Sequence, residues 1–279
     1  MIPQAHIVAW RQFAPWVSDA QVEQDLIISR ALVAIFEYDI LAKQLSFRGG
    51  TALHKIYCKP ARRYSEDIDL VQIKAGPIGA ILDALQEKLN IFLGVPRRKQ
   101  TEDAVTLNYR MESEGPPIVP IKLKVEINTR EHEAYLGLKK KAFSVESRWY
   151  SGNCKITTFK IEELLATKVR ALYQRRKGRD LFDIWLGLTD GKADTAIIVE
   201  IFKKYMKAEG NKVGRKDFEE NLDDKMKHPG FSSDLKPLLS SNVNYDAKEA
   251  FELVRREIIS RLWKSKHYAI RSEAFDQGG

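Results

Sequence analysis

An α/β amino-terminal lobe followed by a helical carboxy-terminal lobe is predicted from three patterns in the chain. The run Asp67-Ile68-Asp69-Leu70-Val71-Gln72-Ile73 is short, apolar and β-prone, and it carries two carboxylates at alternate positions. The run Ile121-Lys122-Leu123-Lys124-Val125-Glu126-Ile127 alternates apolar and charged residues, as a half-buried strand does. From Lys160 onward the apolar residues recur at helical spacing. Gly152-Asn153 is read as the boundary, which divides the chain into lobes 1–152 and 153–279.

Residues 18–45 read as one helix. Ser18 caps its start and Gln21 stands at the capping-box position. Ser46-Phe47-Arg48 leads as a short extended segment into Gly49-Gly50, and Thr51–Tyr57 then begins a helix that stops before Pro60. The strand at 67–73 follows a basic loop. A helix over 78–93, a strand over 104–111 and a loop through Glu114-Gly115-Pro116-Pro117 lead to the strand at 121–127. Residues up to 150 show no regular pattern. Helices are expected at about 160–176, 180–188, 194–208, 216–226 and 246–265, with a Pro-, Ser- and Asn-rich loop over 227–245.

The chain has 279 residues, 44% of them hydrophobic and 30% charged, which fits an ordinary globular protein. No apolar run approaches the roughly 18–20 residues that cross a bilayer, and the first residues lack a secretory-signal pattern. Cys58 and Cys154 stand far apart with no Cys or His cluster nearby, so a reduced, cytoplasmic setting without zinc or membrane is expected. The net charge of +8 is compatible with a polyanionic partner. Its visible clusters are Arg97-Arg98-Lys99, Lys139-Lys140-Lys141 and Arg175-Arg176-Lys177.

Alternate side chains of a strand share a face, so Asp67 and Asp69 point the same way and repel unless a cation or proton lies between them. Glu126, on a second alternating strand, is free to join them if the two strands pair. Three carboxylates so placed suit one or two Mg²⁺ ions bound through oxygen. Gly49 and Gly50, just before a helix, let backbone N–H groups approach a phosphate, with Ser65 at the strand mouth. Lys168, Ala171, Leu172 and Arg175 fall on one helix face, and Asp180 and Asp183 on another. Each motif alone also has a structural explanation: solvated aspartates, a tight turn, a basic surface face, or acids favoured at a helix start.

Taken in order, Gly49-Gly50-Thr51-Ala52-Leu53 with Arg63-x-Ser65-x-Asp67-x-Asp69, Lys124-Val125-Glu126, Lys168-x-x-Ala171-Leu172-x-x-Arg175 and Arg179-Asp180-x-x-Asp183 resemble the four motifs of the AbiEii/AbiGii-type nucleotidyltransferase toxin family. The resemblance implies a DNA polymerase β-like nucleotidyltransferase core with a mixed sheet and a helical second lobe. It implies an Mg²⁺-dependent transfer from an NTP to an acceptor, which in some related toxins is the 3′ end of tRNA, where transfer blocks translation. Family membership does not fix the acceptor. A toxin–antitoxin or phage-defence setting with a cognate antitoxin comes with it. On this reading Asp67, Asp69, Lys168 and Asp180 are catalytic, and Asp67, Asp69 and Glu126 hold metal. Gly49, Gly50, Ser65, Lys168 and Arg175 bind the nucleotide. Two alternatives stand beside it: a small-molecule, aminoglycoside-type nucleotidyltransferase, and a non-catalytic protein that uses the fold to bind RNA or a partner.

Overall fold

The computed structural model describes residues 2–115 and 117–262. Helices α1 (Gln4–Trp10), α2 (Asp19–Glu37) and α3 (Asp39–Gln44) precede strand β1 (Leu45–Arg48). Helix α4 (Gly49–Ala52) continues as a wider turn of helix over Leu53–Tyr57 and leads to β2 (Asp67–Gln72). Next come α5 (Gly79–Leu93), β3 (Arg97–Gln100), β4 (Ala104–Glu112), β5 (Pro120–Asn128), β6 (Lys139–Glu146) and β7 (Ser151–Thr158). The remaining chain is helical: α6 (Ile161–Gln174), α7 (Gly178–Thr189), α8 (Thr195–Ala208), α9 (Arg215–Met226), α10 (Pro229–Ser233) and α11 (Ala247–Glu257).

The seven strands form one mixed sheet in the order β3-β4-β5-β2-β1-β7-β6. β2 runs parallel to β5, β1 runs parallel to β7, and the other pairs are antiparallel. One face is apolar. Ile68 and Leu70 of β2, Leu107 and Tyr109 of β4, and Leu123 and Val125 of β5 are all buried, and they form one core with α2 and α5. A second core joins α6, α7, α8 and α11, and it includes Leu53 and Cys58 from the first half of the chain.

Several elements differ from expectation. The helix expected over 18–45 is two helices, because Tyr38 turns extended (ψ 112°) while the apolar periodicity runs on through it. Its capping box is as read: Gln21 N donates to Ser18 Oγ at 3.2 Å, and Ser18 N donates to Gln21 Oε1 at 3.3 Å. The section without pattern holds β6, and β7 begins directly after it at Ser151. Gly152 and Asn153 lie inside β7, opposite Val145 and Ser144, so the division expected at 152/153 falls within a strand. The helical part begins at Ile161 instead. The loop at 227–245 contains α10 and one 3₁₀ turn, Lys236–Leu238. Of the helix expected over 246–265, residues 263–265 lie outside the described residues.

Candidate functional site

β2 carries Asp67 and Asp69 on the face opposite Ile68 and Leu70. The parallel register with β5 sets Asp69 beside Glu126 and Asp67 beside Lys124. The three carboxylates therefore share the polar face of the sheet, as the alternation required. Lys124 Nζ lies between them, 3.2 Å from Asp67 Oδ2 and 3.4 Å from Glu126 Oε2. Burial raises the pKa of Asp67; Lys124 opposes that shift and Asp69 adds to it. Among the described residues no three His, Cys, Asp or Glu side chains already converge at metal-binding separation. As a donor set, three clustered carboxylates whose mutual repulsion a lysine already offsets fit a hard divalent cation.

The glycines pack against this wall. Gly49 has φ +82°, and a Cβ there would lie 2.0 Å from Asp69 Oδ2. A Cβ on Gly50 would lie 2.5 Å from Arg63 Nη2 and 3.2 Å from Ser65 Oγ. At Gly49 the positive φ and the contact together disfavour any side chain, whereas at Gly50 a Cβ would require the Arg63 guanidinium to shift. The first turn of α4 has no side-chain cap, and both of its glycines line the cleft. Ser65 points at the helix behind the glycines, with its Oγ 2.8 Å from Thr51 Oγ1, and Thr51 also donates to the Asp67 carbonyl.

The opposite wall is α6. A cleft of about 260 Å³ lies between Gly49, Gly50, Asp69 and Glu126 on one side and Lys168, Ala171 and Arg175 on the other. Leu172, expected on the same helix face, faces the second core instead. Lys168 is almost wholly buried, with Nζ 2.9 Å from Asp183 Oδ2 and 3.3 Å from Asp180 Oδ1. Arg175, half exposed, donates to both Asp180 oxygens at 2.7 and 2.8 Å. Asp180 itself is fully buried, behind the two cations rather than on the cleft surface. Burial works against its ionised form, but Lys168 and Arg175 hold its carboxyl below the usual range.

A glycine pair, a two-aspartate strand with a third carboxylate in register, and a facing Lys/Arg helix thus meet at one cleft, in the chain order of the four motifs. The family model described as nucleotidyl transferase AbiEii toxin, type IV toxin–antitoxin system, matches residues 30–253. The chain belongs to this family. Solved structures share the fold. MenT4, a nucleotidyltransferase toxin from Mycobacterium tuberculosis, is 15% identical, aligns over 93% of this chain and 97% of its own, and has a TM-score of 0.55. JHP933 from Helicobacter pylori is 18% identical over 87% of this chain and 95% of its own, with a TM-score of 0.51. Among curated proteins nothing matches.

Around the AbiEii motifs the Lys168–Asp180 pair, which the motif spacing suggests, extends into a buried network whose other links the sequence did not disclose. Asp183 accepts from Arg63 Nε and Nη2, both at 2.7 Å, and lies 3.0 Å from His54 Nε2. Three cations (Arg63, Lys168 and Arg175) therefore face two carboxylates (Asp180 and Asp183), which leaves one positive charge in excess beside the cleft. His54 adds none. Burial, reinforced by Arg63, lowers its pKa to about 4 despite the hydrogen bond to Asp183. A neutral ring must donate from Nε2 to the carboxylate, so Nδ1 is the bare nitrogen, and it has no partner. At the cleft floor Glu131 joins Arg48 (2.9 Å) to Arg170 (2.7 Å). Burial opposes its charge, but these guanidinium contacts hold its carboxyl down to about 2. The Arg179-Asp180-x-x-Asp183 spacing was the one sequence signal for this network. His54 and Arg63 lie more than a hundred residues from Asp183, which no local pattern reveals.

Proposed function

We propose that the chain is a Mg²⁺-dependent toxin that transfers a nucleotide from an NTP to the 3′ end of an RNA, in the first instance tRNA, and so blocks translation in the cytoplasm. The observation that carries this reading is the register pairing of Asp69 with Glu126 across a cleft from Lys168 and Arg175. Asp67, Asp69 and Glu126 would hold the divalent ion. When bound, that ion neutralises phosphate charge and makes the acceptor hydroxyl more nucleophilic.

The chain's own residues supply the positioning. The amides of Gly49 and Gly50, with the excess positive charge at Lys168 and Arg175, receive the triphosphate. Asp180 and Asp183 fix the Lys168 ammonium, and Asp180 fixes the Arg175 guanidinium; both then meet the leaving group without reorganising. The acceptor oxygen bonds to the α-phosphorus, the bond from that phosphorus to the pyrophosphate oxygen breaks, and the hydroxyl proton leaves to water. The family implies an antitoxin partner, and a place in phage defence is part of the same proposal. No helix among the described residues is long and apolar enough to cross a membrane.

The test compares wild type with Asp67→Ala, each incubated with labelled NTPs and total RNA. Wild type should label RNA in the presence of Mg²⁺, and the variant should lose at least about 100-fold in rate. Equal labelling by the two removes Asp67 from the mechanism. Labelling of a small-molecule acceptor instead of RNA favours the aminoglycoside-type reading.

A further inference from the structure

The polar face of the sheet continues beyond the carboxylates for three more strands. Residues directly opposite one another across a strand pair share a face, so the register can be followed outward. From Asp67 the row passes through Lys124 on β5 and Asn108 on β4 to Arg97 on β3. From Asp69 it passes through Glu126 and Thr106 to Lys99. Lys122, opposite Arg110, belongs to the same face one step along. Both rows begin on carboxylates and end on cations at the sheet edge, about 14 Å away at ordinary strand spacing.

Arg97, Lys99, Arg110 and Lys122 are exposed and line a concavity of about 490 Å³. Among the described residues none of the four is paired with a carboxylate, although Glu112 lies one step beyond Arg110 on the same face. The lysine run on β6 is placed differently. Lys139 lies opposite Thr158, Thr158 opposite Phe47, and Phe47 opposite Leu70, so Lys139 belongs to the face away from the carboxylates.

The direction of the reaction selects between the two edges. In an in-line displacement the attacking and leaving oxygens stand on opposite sides of the phosphorus. The glycines follow directly on β1, Lys168 and Arg175 share their cleft, and on the proposed reading these groups take the leaving pyrophosphate. The attacking oxygen then enters from the β5 side. We infer that the acceptor arrives as an unpaired RNA end laid across β5, β4 and β3, with its backbone phosphates held by Lys122, Arg110, Arg97 and Lys99. A flat polar strip of this kind recognises phosphate rather than base, so it orients the end and leaves sequence choice to other contacts.

This inference rests on the RNA-acceptor reading, and the experiment separates the two. Steady-state transfer to unfractionated tRNA is measured for wild type, Arg97→Glu/Lys99→Glu, and the control Lys139→Glu/Lys141→Glu, two residues on the face away from the carboxylates, which changes net charge equally. The first variant should raise the KM for tRNA about 10-fold or more, leave the KM for NTP within about twofold, and reduce the salt slope of log(kcat/KM) by about 2. The control should change neither KM by more than about twofold. An unaltered tRNA KM in Arg97→Glu/Lys99→Glu, or an equal rise in the control, overturns the path and leaves the RNA-acceptor reading standing. A wild-type protein that transfers only to small molecules overturns both.

Discussion

Gly49 makes the most exacting demand of any residue in the cleft. Its φ of +82° disfavours any side chain, and the space a Cβ needs already holds Asp69 Oδ2. Gly49→Ala should destabilise the fold by about 1–3 kcal/mol and push Asp69 off the shared face. Labelled-NTP transfer should fall by at least about 100-fold, while a thermal melt still reports a folded protein. His54 makes a different demand, since it is buried in neutral form. Its folded pKa of about 4 lies below the ordinary 6.5, so the unfolded chain binds the extra proton in that interval. Stability is therefore full above about pH 6.5 and declines as pH falls toward 4, by up to about 3 kcal/mol for this group. Melts at pH 7 and pH 5 should show a smaller drop in Tm for His54→Gln than for wild type; equal drops would remove His54 from the acid response.

At the level of elements, what could be read from the sequence depended on how much of each element is buried. β5 buries every second side chain and β2 does so from Asp67 to Leu70, and that alternation gave the face of Asp67, Asp69 and Glu126. β3 exposes all four of its residues, and β6 buries only Val145, so neither edge strand leaves an apolar trace. The same exposure let Gly152-Asn153 pass for a linker. The longer helices of the second half, α6–α9 and α11, were visible through their buried apolar residues, whereas the short α10 was not and the break at Tyr38 was hidden by apolar residues on both sides. The cleft was readable as four motifs. The ionic network behind it was not, because His54, Arg63 and Asp183 become neighbours only through the packing of α7 on the first lobe.

Across the whole molecule, two hydrophobic cores are tied by a few polar joints. Arg63 reaches Asp183, Arg62 reaches Asp190, and Leu53 and Cys58 insert into the second core. Asp183 is the central joint, and its carboxyl is held well below the usual range: burial works against the charge, but Arg63 and Lys168 outweigh it. Asp183→Asn leaves those buried cations undercompensated and should destabilise the protein by about 3–5 kcal/mol, lowering Tm by roughly 10 °C in differential scanning calorimetry. A shift under about 2 °C would mean that the lobes are held together elsewhere. The loop that delivers Ser65 and Asp67 is also clasped from the far end of the chain. Tyr64 N donates to the Leu238 carbonyl at 2.7 Å, and Ser240 N donates to the Arg62 carbonyl at 3.1 Å. During synthesis the first motif leaves the ribosome early, but its loop gains these two clasps only when residue 240 has followed. A chain still being translated therefore carries every motif, Arg179-Asp180-x-x-Asp183 included, before the loop that bears Ser65 and Asp67 is clasped.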